Sequence, residues 1–385
     1  MPIQLPSVGL AAAALLVAAL VALITTPVVR SLAVRMGAVD VPKDGRRMHD
    51  HPIPRMGGLA IFFGFILSVL IFQTLTPSLR GMLLGSVIIV VLGILDDIYA
   101  LPALPKFLVQ IVAALVAVLE GNRIEFLSNP NIFSKEPFWE LGWLSIPISV
   151  LWIVAITNSV NLIDGLDGLA CGVSTISSMT LLVIALIVSE PDVAILMAAL
   201  AGACIGFLPY NLNPAKIFMG DTGSTFLGFI LATVSIQGLF KFYAIISFAV
   251  PFLMLGLPIF DTCFAILRRV AKGQSPMSPD RGHIHHRLID MGFSQKQAVA
   301  VLYIISAILG LSAVVLTTSG ALKAMALLCA LCFAGAIAAK ISISHAEKEE
   351  EKEVQAVESH DDLRDPPGGS EDGAPGEGAG EQEGD

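Results

Sequence analysis

Val150-Leu-Trp-Ile-Val-Ala-Ile-Thr157-Asn158-Ser-Val-Asn161-Leu-Ile-Asp164-Gly-Leu-Asp167-Gly-Leu169 runs from a membrane-grade apolar stretch straight into two amides and two carboxylates, one at every third residue. Charged side chains beside hydrocarbon are costly, so such a cluster calls for an ion or a polar ligand. The apolar half of the segment decides the fold. With 55% hydrophobic and only 14% charged residues, and a mean hydropathy of +0.78, the 385-residue chain is too apolar for a soluble domain. Runs able to cross about 30 Å of hydrocarbon recur along it. They lie at 8–29, 58–75, 81–95, 104–119, 144–157, 166–188, 193–209, 222–239, 242–267, 299–318 and 321–340. An all-α integral membrane protein follows, a polytopic bundle of about eleven transmembrane helices. The third and fifth runs are short and read as tilted or locally supported.

The net charge of −9 hides two opposite parts. Residues 346–385 carry 15 Asp and Glu against 3 Lys and Arg, which leaves residues 1–345 mildly positive. That tail is rich in Gly, Pro and Glu and reads as a disordered extension of a transmembrane catalytic domain spanning 1–345. The five cysteines (171, 204, 263, 329 and 332) sit in or beside apolar runs and imply core packing, not disulfides. No basic residue precedes the first apolar run, so a signal peptide's charged start is lacking. Loops after the odd-numbered helices, with the tail, hold 18 of the 23 Lys and Arg residues. Positive-inside charge puts those loops and the carboxyl terminus in the cytoplasm and the amino terminus outside.

Every polar motif falls on that same side, which implies one cytoplasmic site. Asp96-Asp97 ends the third helix, and adjacent carboxylates on a helix point in different directions, so they can take two roles. One can bind Mg²⁺, which prefers oxygen ligands, and the other can act as a base; an ordinary acidic helix end is the alternative. In the Asn158–Asp167 run, a period of three keeps Asn158, Asn161, Asp164 and Asp167 on one broad helix face. Its amides suit sugar hydroxyls or a nucleobase, and its acids suit a metal or ribose. A polar seam between helices is the competing reading. Gly220-Asp221-Thr222-Gly223-Ser224 opens a helix, where exposed N–H groups favour phosphate and Asp221 can hold a cation; simple capping is the alternative. Arg281-Gly-His283-Ile-His285-His286-Arg287 combines imidazoles and guanidiniums suited to a diphosphate. The spacing is not that of a usual structural zinc site. The basic first loop, with His49, suits an anionic head group or a nucleotide, or merely anchors by charge.

In this order the motifs resemble the polyprenyl-phosphate N-acetylhexosamine-1-phosphate transferase family, over about residues 40 to 290. Asp-Asp, Asn-x-x-Asn-x-x-Asp-Gly-x-Asp-Gly, Gly-Asp-Thr-Gly-Ser and His-x-His-His are specific in combination. The resemblance implies transfer of a sugar 1-phosphate from a UDP-sugar to a membrane polyprenyl phosphate, with release of UMP and use of Mg²⁺, for which Mn²⁺ can substitute. It implies Asp96, Asp97, Asp164 and His285 as catalytic and Asp221, with Asp97, as metal ligands. It leaves Lys106, His49, Asn158, Asn161, Asp167, Asn211, Arg281, His283, His286 and Arg287 to substrate binding. Phospho-MurNAc-pentapeptide transferases look similar but usually carry an uninterrupted triple histidine and a longer insert after Asp-Asp. Here Ile284 breaks the cluster and Asp97 lies nine residues from Lys106. Both features favour the branch using UDP-GlcNAc and undecaprenyl phosphate to start a cell-envelope polysaccharide, in a bacterial cytoplasmic membrane. A second copy of the chain is an expected partner, and nucleic acid is not. An ion-coupled transporter is the rival from another class, but transporter sites lie near the bilayer midplane.

Overall fold

A computed structural model describes residues 5–41, 51–128, 138–239, 246–275 and 282–319, with positions 323 and 329. His49, Arg281, nearly all of the run 321–340 and the acidic tail lie outside the described residues. Contacts divide the chain at residue 328, and the architecture below belongs to the first unit.

The described residues are helical almost throughout. In order come α1 (Leu5–Arg35), α2 (Gly58–Phe72), α3 (Pro77–Tyr99), α4 (Ala103–Leu119), α5 (Ser145–Leu162) and α6 (Leu169–Val188). There follow α7 (Pro191–Asn211), α8 (Gly220–Leu239), α9 (Ile246–Met254), α10 (Gly256–Ala271), α11 (Ile284–Asp290) and α12 (Gln295–Ser319). Two small antiparallel ribbons join them: β1 (Val39–Asp40) with β2 (Ile53–Pro54), and β3 (Phe126–Ser128) with β4 (Phe138–Glu140). Six helices are long and apolar enough to cross a membrane, and α2 and α4 are shorter apolar helices. Helices that satisfy their own backbone polar groups are what a lipid environment allows, and the protein is an all-α polytopic membrane bundle. Cys171, Cys204, Cys263 and Cys329 are free thiols.

Three expectations change. The third and fifth runs are not short, because α3 and α5 continue through their polar ends to 23 and 18 residues. Intrahelical hydrogen bonds do not depend on side-chain polarity. Thr76 starts α3 by accepting from the Leu79 amide, with Pro77 at the first position. The ninth run, 242–267, is two helices broken at Leu255. Pro258 has no N–H for the Met254 carbonyl four residues back. That carbonyl instead accepts from the Ser177 hydroxyl, at 2.8 Å. Finally, the basic loop that follows contains a short helix, α11, where no helix was expected.

Packing relies on small residues. Ala11, Ala14, Ala18 and Ala22 form a buried stripe on α1, which lies against α7. A Cβ on Gly206 would lie 2.1 Å from the Ala19 carbonyl oxygen, so only glycine permits this approach. Gly206→Val is expected to destabilise the bundle by about 2 kcal/mol, since the backbones cannot separate without opening the stripe. Unfolding in detergent, followed by circular dichroism, measures it; an unchanged midpoint would show the crossing to be loose. The same device brings the site together at α8. A Cβ on Gly58 would meet the Gly223 Cα at 2.0 Å, and one on Gly93 the Thr222 Cα at 2.4 Å. The amides of Gly57 and Gly58 donate to the carbonyls of Phe218 and Met219, and Phe218 donates back to Pro54. The start of α8 is thereby fixed between α2 and α3.

Candidate active site

Asp96 and Asp97 end α3 and face different partners. The Asp96 carboxylate accepts from the Leu101 amide at 2.7 Å and from Lys106 Nζ at 2.7 Å. Lys106, one turn into α4, also reaches Asp221 Oδ2 at 3.4 Å. Asp97 turns the other way and accepts from the amides of Asp221 (3.0 Å) and Thr222 (3.1 Å) and from the Thr222 hydroxyl (2.6 Å). This corrects the reading of the Gly-Asp-Thr-Gly-Ser start as a set of exposed phosphate-binding amides. A carboxylate from another helix already caps two of those N–H groups, of Asp221 and Thr222, and complements the helix dipole. Asp221 is left free to project its side chain, and Asn161 Nδ2 donates to its Oδ1 (2.9 Å) and to the Ser224 hydroxyl (2.8 Å).

The Asn158–Asp167 run does not lie on a single helix face. α5 stops at Leu162, and Asp164-Gly-Leu-Asp167-Gly forms a turn into α6, with Gly168 at φ +78°. That left-handed position favours glycine. The turn distributes the four polar residues over two cavities. Asn158 donates to Gln110 Oε1 at 2.6 Å on the apolar side. Asp167 is on the polar side, accepting from Asn213 Nδ2 (2.9 Å) and the Ala215 amide (3.0 Å), while Asn213 also donates to Gln295.

The polar cavity, about 280 Å³, is lined by Asp97, Asp164, Asp167, Asn211, Arg55 and His286 among others. Arg55 is held there by Asp40, at 3.0 Å. The Asn211 side chain is buried; its nitrogen donates to the Ile217 carbonyl, whereas its oxygen has no donor. A buried acceptor left without a donor is unfavourable. Burial pushes the Asp164 carboxyl up to about 8, with the negative charges of Asp221 and Asp97 adding to it.

The second cavity is a groove of about 1210 Å³ walled by apolar side chains such as Phe107, Trp152, Ile156 and Phe252. One part of its lining is polar: Asp96, Lys106, Asp221, Arg269 and His283. Asn161 and Asp221 line both cavities. The histidine cluster divides in the same way, with His283 on the groove and His286 on the polar cavity. His285 lines neither. Its ring is buried, and a Cβ on Gly165 would touch its Nε2 at 2.3 Å. Burial, followed by its neighbour His286, brings its pKa down to about 4, so its ring is neutral at neutral pH. Arg287 is exposed and borders neither cavity.

Among the described residues, no three His, Cys, Asp or Glu side chains form a ready-made metal cage. Mg²⁺ does not need one, since it is held by one or two carboxylates together with waters and substrate phosphates. Burial first, and then the charges of Asp221 and Asp97, raise the Asp164 carboxyl, and a divalent cation among these carboxylates would relieve their mutual repulsion. The residues present therefore fit such an ion. Sequence reasoning missed Gln110, Asp261, Arg269 and Gln295, whereas Arg55 belongs to the basic first loop read as suited to an anionic head group or a nucleotide. Arg269 had registered only as loop charge, and Asp261 was hidden inside an apolar run.

Residues 79–239 match the family model described as glycosyl transferase family 4. The chain is 47% identical over 307 residues to the "Probable undecaprenyl-phosphate N-acetylglucosaminyl 1-phosphate transferase" of Bacillus subtilis (strain 168), covering 80% of this chain and 85% of that protein. It is 36% identical to the decaprenyl-phosphate N-acetylglucosaminephosphotransferase of Mycolicibacterium smegmatis, covering 75% and 78%. It is 29% identical to the undecaprenyl-phosphate alpha-N-acetylglucosaminyl 1-phosphate transferase of Escherichia coli (strain K12), covering 73% and 77%. The family inferred from four short motifs is thus the one found by similarity over as much as 80% of the chain, and the chain belongs to glycosyl transferase family 4.

Proposed function

We propose that the chain transfers N-acetylglucosamine 1-phosphate from UDP-GlcNAc to undecaprenyl phosphate, releasing UMP, as the first membrane step of a cell-envelope polysaccharide. One observation carries this reading. A long apolar groove and a compact polar cavity share a wall, and that wall is Asn161 and Asp221. An isoprenoid chain suits the groove, entering sideways from the bilayer. A nucleotide suits the polar cavity, entering from the cytoplasm, where the Asn211 oxygen would take a donor from base or ribose. The two phosphates then meet at the shared wall.

Lys106 and Asp96 position the lipid phosphate at the groove's polar end, and its oxygen attacks the β-phosphorus as the bond to UMP breaks. Asp97 is committed to the start of α8, which favours direct attack over a covalent phospho-aspartate at that residue. Mg²⁺ or Mn²⁺, held chiefly by Asp221 with Asp97 behind it, would neutralise charge on the diphosphate when bound. Purified protein given Mg²⁺, undecaprenyl phosphate and labelled UDP-GlcNAc should form labelled lipid and UMP. Product with UDP-MurNAc-pentapeptide alone would move it to the neighbouring branch, and substrate uptake without UMP release would make it a transporter.

Asp164 supplies a signature of cation binding. Its folded-state pKa of about 8 exceeds the ordinary 3.8, so protonation stabilises the fold at low pH and that stability fades as pH rises towards 8. At pH 7 the carboxyl holds a proton that an incoming cation would displace. Mg²⁺ binding is expected to release close to one proton at pH 7 and almost none above about pH 9. Calorimetry in buffers of different ionisation enthalpy measures it, and Asp164→Asn should abolish the release. Binding at pH 7 without proton release would remove Asp164 from the cation's surroundings.

A further inference from the structure

Asp261 is a buried carboxylate in the apolar helix α10, within Ile259-Phe-Asp261-Thr-Cys-Phe264. A carboxylate in such a setting is costly unless it is paired and used. Its two oxygens have two partners. Oδ1 accepts from the Ile284 amide at 2.8 Å, and Oδ2 lies 2.8 Å from His283 Nδ1. His283 is itself buried and stacks on His285, with ring centroids 5.7 Å apart. With Asp261 ionised, its carboxylate can meet the ring nitrogen only as an acceptor, which puts a hydrogen on Nδ1. In the neutral ring that tautomer leaves Nε2 as the acceptor, and His283 lines the groove, as do Asp96, Lys106 and Arg269.

We propose that Asp261 is a positioning residue acting through His283. It holds the imidazole in the tautomer that turns an acceptor towards the polar part of the groove. That acceptor takes the hydroxyl hydrogen of a monoanionic phosphate, which directs the phosphate's charged oxygen away from His283 and towards the shared wall. The proposal rests on the polyprenyl phosphate reading of the groove. Of the three histidines in the cluster, it singles out His283, whose orientation is set from another helix.

Asp261→Asn tests it, because an asparagine has one acceptor for two partners. With its oxygen on the Ile284 amide, its NH₂ meets Nδ1 and reverses the tautomer. Asp261→Asn is expected to lower kcat about 10²-fold, the scale of a misplaced proton-handling group, with KM for the UDP-sugar nearly unchanged. In a His283→Ala background the same change should cost less than about twofold, because residues that act as a unit are not additive. An equal loss in both backgrounds would make Asp261 merely structural, and no loss in the parent would refute the proposal outright. Nitrogen-15 NMR of wild-type protein labelled at histidine, assigned with His283→Ala, reads the tautomer even where Asp261→Asn fails to fold. Protonation at Nε2 would overturn the assignment. Wild-type protein that binds substrate analogues but makes no lipid product would instead count against the transferase reading and leave the tautomer result intact.

Discussion

Asp221→Asn is expected to lower kcat by about 10³-fold, the upper range for removing one electrostatic stabiliser of a transition state. Three features set this residue apart. It lines both cavities, it receives Asn161 and Lys106, and its backbone is held independently by Asp97. The third feature matters for interpretation. Because Asp97 rather than the Asp221 side chain caps α8, the variant should keep its fold while losing its charge. A steady-state assay of UMP release across a Mg²⁺ titration measures the loss. Full Mg²⁺-dependent turnover in the variant would end its assignment as the principal cation ligand.

Lys106→Met is expected to cost about 10²-fold in kcat/KM for the lipid phosphate, with a much smaller change in KM for UDP-GlcNAc. Its ammonium lies 2.7 Å from Asp96 and 3.4 Å from Asp221, so its loss leaves two carboxylates facing one another without a cation between them. A phosphate arriving from the groove would then meet repulsion from both. Lys106→Arg keeps the charge but not the compact ammonium geometry and should recover only part of the activity. Kinetics with each substrate varied in turn separate the two constants. Equal losses in both KM values would place Lys106 on the nucleotide instead.

Much of the candidate site was legible in the linear chain. Asp96, Asp97, Asp164, Asp167 and Asp221 stand out because carboxylates are rare in so apolar a sequence, and each lies at or beside one end of an apolar run. What escaped was the division of labour. Asn158 and Asp167 have the same spacing pattern, yet a turn at Asp164–Gly168 sends one to the apolar groove and the other to the polar cavity. Asp261 escaped for a different reason. A single acid in an apolar helix gives no local sign of its partner, and Asp261 meets His283 only after 22 intervening steps of chain.

The sequence by itself determined the helical membrane bundle, the positions of its apolar runs and the family. Each rests on a local or additive property: hydrocarbon demands helices that bond internally, and the motifs are contiguous. Only the tertiary structure decided that α8 is capped by a carboxylate 125 residues away, that Pro258 splits a run into two helices, and that two cavities share Asn161 and Asp221. Those outcomes depend on which hydrogen-bond partner reaches which group in three dimensions. Spacing along a chain cannot rank such partners when several donors compete for one acceptor.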